Sequence, residues 1–155
     1  MMKQTIQLCL DLLFGSSPEV ARYQDVPISP ELASDYGKLI AAKKLGECPR
    51  SIIVDSAFCR SALSSTEDDR VRIESLQQLL NSGSDLLEGV LFALLFDADE
   101  EMRRAAVEGI TLSRRENLPL ALEVLGHDES DAICMLAKHA ITGQPIELYW
   151  LDSPS

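Results

Sequence analysis

Aromatic residues are scarce, at 5% of 155 residues against 46% hydrophobic residues in all. With Leu and Ala abundant, that balance favours a helical domain around an aliphatic core, and the length suits one domain. The four cysteines, Cys9, Cys48, Cys59 and Cys134, have no CxxC spacing and lie far apart. They read as buried thiols of a reducing compartment, neither a disulfide framework nor a zinc site. No apolar run is long enough to span a bilayer. The opening "MMKQTIQLCLDLLFG" is interrupted by Asp11 and lacks a small-residue cleavage site after it, so it reads as an amphipathic first helix and not a secretory signal. These features together predict a cytoplasmic protein.

Chemistry-bearing patterns are missing too. Cys134 and His139 stand five apart on a predicted helix, about 140° out of phase, and share no face. His127, Asp128 and Asp131 lack a second nitrogen or sulfur ligand at helical spacing, so no metal centre is expected. "LFGSS" has neither the glycine spacing nor the lysine of a phosphate loop. No catalytic residue and no cofactor is expected. Positive charge is deficient in one part of the chain only. Residues 1–65 hold seven Lys/Arg and seven Asp/Glu, whereas 66–155 hold seven against eighteen, so the whole net charge of −11 lies there. Such a surface repels nucleic acid and anionic membrane.

What is present begins with helix starts. "SSPEVA" from Ser16 and "ISPELA" from Ile28 each place Ser before Pro and Glu, a cap, a first-turn proline and an acid at the positive end of the dipole. "RYQDVPIS" between them reads as a loop. A third helix follows Pro49, with Ile52, Ile53, Ser56, Ala57, Arg60 and Leu63 at helical spacing. Residues 1–65 thus form an irregular part of about three helices, in which "DYGKLIAAKKLG" partly echoes the helices beyond.

From Thr66 a period of 31 residues sets in. Val71, Ser75 and Leu79 align with Met102, Ala106 and Ile110, and these with Ile133, Ala137 and Ile141. Each trio is apolar, small, apolar at i, i+4 and i+8, one stripe of a helix. The same shift lays Leu87, Val90, Leu91 and Leu94 over Leu118, Ala121, Leu122 and Leu125, a second helix per unit. "NSGSD" and "SRREN" are turns within units; "FDAD" and "GHDESD" separate them. A fixed period of two antiparallel helices marks an α-solenoid.

These residues resemble the HEAT-repeat family, above all the short HEAT-like repeats of the phycobilisome-lyase type, across roughly residues 66–141. In that family an Asp near the start of the first helix is followed five and six positions on by an apolar residue and an Arg. Asp97, Met102 and Arg103 match it; the first unit has Thr66, Val71 and Arg72, the third Asp128, Ile133 and Cys134. The resemblance implies an all-α solenoid of helical hairpins over 66–146, following the irregular part at 1–65 and followed by a C-terminal tail at 147–155, all in one domain. HEAT-like folds also include DNA glycosylases, but those need a basic concave surface. The lyase likeness implies a second role, helper subunit of a chromophore-lyase-type enzyme, and small size with acidity suits a third, a secretion-chaperone-like protein for one effector.

Acids recur at one place in every unit: Glu67, Asp68 and Asp69; Asp97, Asp99, Glu100 and Glu101; Asp128, Glu129 and Asp131. Either they cap helix starts, or they form an edge that holds a basic partner. Capping needs one or two carboxylates per helix, and the middle unit has four. The favoured reading is a non-catalytic adaptor that binds another protein with a basic surface through Asp99, Glu100 and Glu101. After "AITGQP" too little chain remains for the second helix of the third unit. Tyr149 and Trp150 therefore either fold back as a cap on the open end or stand out as a partner-binding hook.

Overall fold

The computed structural model describes residues 2–15, 35–115 and 118–154, with the backbone alone at 35, 36, 118 and 119. Among them all regular structure is helical and there is no strand. The helices are α1 (Met2–Phe14), α2 (Asp35–Gly46), α3 (Ile52–Leu63), α4 (Asp69–Ser82), α5 (Leu87–Leu94), α6 (Glu100–Ser113), α7 (Leu118–Ala121), which continues as a 3-10 helix (Leu122–His127), and α8 (Asp131–Ile141). None is long and apolar enough to cross a membrane. The helix starts expected at "SSPEVA" and "ISPELA", and the loop between them, lie outside the described residues. The echo "DYGKLIAAKKLG" coincides with α2.

Two compact units divide the chain, one up to Gln78 and one from Leu79. In the first, α1, α2 and α3 pack on one another around Cys9, Leu13, Ala41, Ala42, Leu45, Val54 and Phe58. Ser51 caps α3, its hydroxyl accepting from Val54 N at 3.2 Å. The buried face of α3 differs from the expected one. Val54, Ala57, Phe58, Ser61 and Ala62 are inside, whereas Ile52 and Ile53 are 72% and 60% exposed. The helix carries apolar residues on more than one face, and the face bearing the large Phe58 ring is the one covered. Arg72 is 1% exposed, its Nε donating to the Ala62 carbonyl at 2.9 Å.

The period of 31 is visible in local geometry. Helices α4, α6 and α8 begin at residues 69, 100 and 131. Each is preceded by a capping side chain: Asp68 accepts from Arg70 N at 2.9 Å, Asp99 from Glu101 N at 2.9 Å, and Ser130 from Ile133 N at 3.4 Å. These bonds satisfy N–H groups that a helix start leaves without partners. Helix ends repeat as well. Gly83 closes α4 at φ 62°, with Gly83 N donating to Leu80 O and Ser84 N to Leu79 O. Arg114, 31 residues on, closes α6 at φ 55° without being glycine. This left-handed step exposes the last carbonyls to new donors and turns the chain out of the helix.

In the second unit α6 packs against α5 and α8, and the 3-10 segment against α8. The expected stripe Met102, Ala106 and Ile110 is fully inside, as are Leu87, Val90, Leu91, Leu94, Leu122, Leu125, Ile133 and Ala137. Ile141, the last of the third trio, is 38% exposed. Of the second-helix alignment, the side chain of Leu118 lies outside the description. Helix α6 buries more than one stripe, because Arg103, Ala105, Val107, Glu108 and Gly109 are inside too.

Candidate functional site

The five residues singled out in the sequence sit on and beside α6. Asp99 precedes the helix as its cap, Glu100 and Glu101 form its first turn, and Tyr149 and Trp150 come to it from the segment after α8. That segment has no regular secondary structure and lies back along α6. Trp150 donates its indole Nε1–H to Glu101 Oε2 at 2.8 Å. The Tyr149 ring stacks on the Arg104 guanidinium at 3.9 Å from the ring centre, and Arg104 also donates to the Glu147 carbonyl at 3.2 Å. The structure therefore joins the acidic and the aromatic candidates into one surface. The segment lies on α6, and Tyr149 remains 61% and Trp150 37% exposed.

Glu108 anchors this surface. One turn of sequence, "AAVEGI", sets a carboxylate in an apolar helix face, and the side chain is 0% exposed. Its Oε1 accepts from two successive main-chain groups, Trp150 N at 2.9 Å and Leu151 N at 3.1 Å. Its Oε2 lies 3.5 Å from Arg104 Nε, a charge contact in which neither atom has an aligned hydrogen-bond partner. Leu151, 2% exposed, fills a niche beside Gly109. Sequence reasoning missed Glu108 and Leu151. An isolated acid within an apolar helical stripe was the available signal, since buried charge demands a partner.

The acids have internal duties. Asp97 Oδ1 accepts from Asp99 N, and Asp128 Oδ1 from Ser130 N, both at 2.9 Å. Glu100 accepts from the Ser130 hydroxyl. Arg103, with a side chain 7% exposed, donates to the Asp97 carbonyl at 2.8 Å and the Ala98 carbonyl at 3.2 Å while its Nε lies 2.8 Å from Asp128 Oδ2. Its Nη2 reaches Glu129 at 3.6 Å, but Glu129 is 86% exposed. In the third unit, where the arginine is replaced, the Cys134 thiol donates to the Asp128 carbonyl at 3.0 Å. That is the equivalent carbonyl, six residues earlier, to the one Arg103 binds. Of the first cluster, Glu67 pairs with Lys38 at 3.3 Å.

An open cleft of about 350 Å³ lies between Leu95, Phe96 and Asp97 on one side and Arg103, Asp128 and Glu129 on the other. In the first unit a shallow groove of about 650 Å³ is lined by Leu10, Phe14, Ile52, Ile53, Ala57 and Arg60. Among the described residues no group of His, Cys, Asp or Glu is arranged to hold a metal ion. Searches of protein-family models, of curated proteins and of solved structures find no match to this chain.

Proposed function

We propose that the chain is a non-catalytic adaptor of the cytoplasm, a short α-solenoid of the HEAT-like kind, that binds another protein with a basic surface at the first turn of α6 and the segment folded on it. The observation that carries this reading is the 2.8 Å bond between Trp150 and Glu101, which unites exposed aromatics and carboxylates on one surface. Exposed aromatics make good interface anchors, and surrounding acids steer a basic partner. The repeat of helix starts at 69, 100 and 131 and the buried Arg103–Asp128 pair between successive 31-residue repeats, both within the second compact unit, support the solenoid. Asp99 serves chiefly as a cap in this reading. Glu100 and Glu129, both exposed, supply the charge that a partner meets.

The test is affinity capture from cytosol with the wild-type chain beside Glu100→Lys/Glu129→Lys, after circular dichroism has shown both folded. A basic partner retained by the wild type, released by moderate salt and lost from the variant is the expected result. Identical retention by both chains would remove the acidic edge from the interface.

A further inference from the structure

Glu108 and its surroundings are not needed by a surface that acts through charge alone. A carboxylate at 0% exposure is costly unless donors meet it. Here the donors are two consecutive peptide N–H groups, those of Trp150 and Leu151. The main chain laid across this face of α6 both covers Glu108 and supplies its donors. Its Oε2 still lacks an aligned hydrogen bond. Three neighbouring features read consecutive side chains: Arg104 lies beneath the Tyr149 ring, Glu101 accepts the Trp150 indole N–H, and Gly109 leaves room for Leu151. A Cβ on Gly109 would stand 2.7 Å from Leu91 Cδ2, a clash within the core, and 3.4 Å from Leu151 Cδ1, an ordinary contact, so the helix backbone at Gly109 is a surface against which Leu151 packs.

Main chain read by fixed acceptors and alternate pockets for side chains are how linear segments are recognised. The segment is held by these polar contacts with little apolar burial. Leu151 is the one buried side chain among its described residues, and from Thr142 to Trp150 every residue except Ile146 is exposed. Segments of this kind open locally without global unfolding.

The geometry points to a peptide-docking site on α6, formed by Glu101, Arg104, Glu108 and Gly109, that takes an extended aromatic–aromatic–aliphatic segment of a partner protein, with Tyr149–Leu151 as its built-in competitor. This deepens the adaptor reading and rests on it. A partner must offer two successive main-chain N–H groups to Glu108, a ring to Arg104 and a branched aliphatic side chain to the niche. The tether keeps the chain's own segment at an effective concentration on the order of millimolar. An incoming segment thus binds the intact chain more weakly than a chain whose own segment grips poorly.

The probe is a blocked, fluorescently labelled peptide with the sequence of residues 147–153, titrated into the full chain and followed by anisotropy. The expected result is binding to Leu151→Ala at least about ten-fold tighter than to the wild type, lost when Glu108→Met, which removes the acceptor, is added and lost when the tyrosine of the peptide is replaced by alanine. No binding to folded Leu151→Ala, or binding unchanged by Glu108→Met, overturns the proposal. If Glu108→Met does not fold, Arg104→Ala in the Leu151→Ala background makes the same comparison, because Arg104 is partly exposed. A dimer formed by exchange of the segment, together with no peptide binding, also overturns it and makes a second copy the occupant. The acidic edge is read separately, by capture from cytosol with Glu100→Lys/Glu129→Lys, and the peptide titration uses neither substitution, so failure here is distinguishable from failure of that edge.

Discussion

Arg103 Nε lies 2.8 Å from Asp128 Oδ2, with both side chains less than a tenth exposed. The same guanidinium holds the Asp97 and Ala98 carbonyls, so one side chain closes the turn before its own helix and ties it to the turn before α8. Removing one member of a buried pair strands the other. Arg103→Ala is expected to cost roughly 3–5 kcal/mol in urea unfolding. A loss under about 1 kcal/mol would show that water reaches Asp128 through the adjoining cleft and that the pair is a surface one.

Capping and exposed charge separate at neighbouring positions. Asp99 accepts the Glu101 N–H at 2.9 Å, and Asp99→Ala is expected to cost about 1 kcal/mol. Glu100 is exposed, and Glu100→Ala is expected to change stability by less than about 0.5 kcal/mol. Chemical denaturation of the two variants side by side decides the assignment; equal losses would contradict it.

Two glycines within helices predict opposite signs. A Cβ at Gly89 meets nothing within 4 Å, so Gly89→Ala is expected to stabilise α5 by about 0.5–1 kcal/mol. A Cβ at Gly109 would lie 2.7 Å from Leu91 Cδ2 in a close-packed core, and Gly109→Ala is expected to cost about 1–2 kcal/mol. Thermal unfolding of both variants reads the signs directly.

Arg114 occupies at φ 55° the left-handed step that Gly83 occupies one period earlier. A side chain there is strained where glycine is not. Arg114→Gly is therefore expected to raise stability by about 0.5–1 kcal/mol, less the entropy that glycine adds to the unfolded chain. A lower denaturation midpoint would show that the arginine side chain makes a compensating contact.

Alkaline pH should loosen the first unit through Cys9. Burial raises its thiol pKa from 9.0 to about 11, with the nearby Cys48 adding to the rise and Lys44 opposing it. The unfolded chain then loses this proton first, so the contribution is intact below pH 9.0 and is lost as pH rises toward 11. The unfolding midpoint of Cys9→Ala should fall less between about pH 8 and pH 10.5 than that of the wild type. Parallel decline of both would assign the alkaline loss elsewhere.

The sequence by itself determined what depends on neighbours in the chain. Helical spacing, the acids Asp68 and Asp99 and the shift of 31 residues predict where helices begin, because caps and turns act within about four positions of one another; at the third start the acids drew the reading away from Ser130, which is the cap. The same patterns placed Met102, Ala106 and Ile110 inside. They misplaced the covered face of α3: Ile52 and Ile53 fit a helical stripe as well as Val54 and Phe58, and the choice belongs to packing against α1 and α2, which no spacing within α3 records. They also left open where the segment bearing Tyr149 and Trp150 lies. Only tertiary structure places its main chain on α6, by bringing a carboxylate at 108 to the peptide groups of residues 150 and 151, more than forty positions away, while both rings stay exposed. A buried charge finds its partner through space, and no periodicity along the chain encodes that distance.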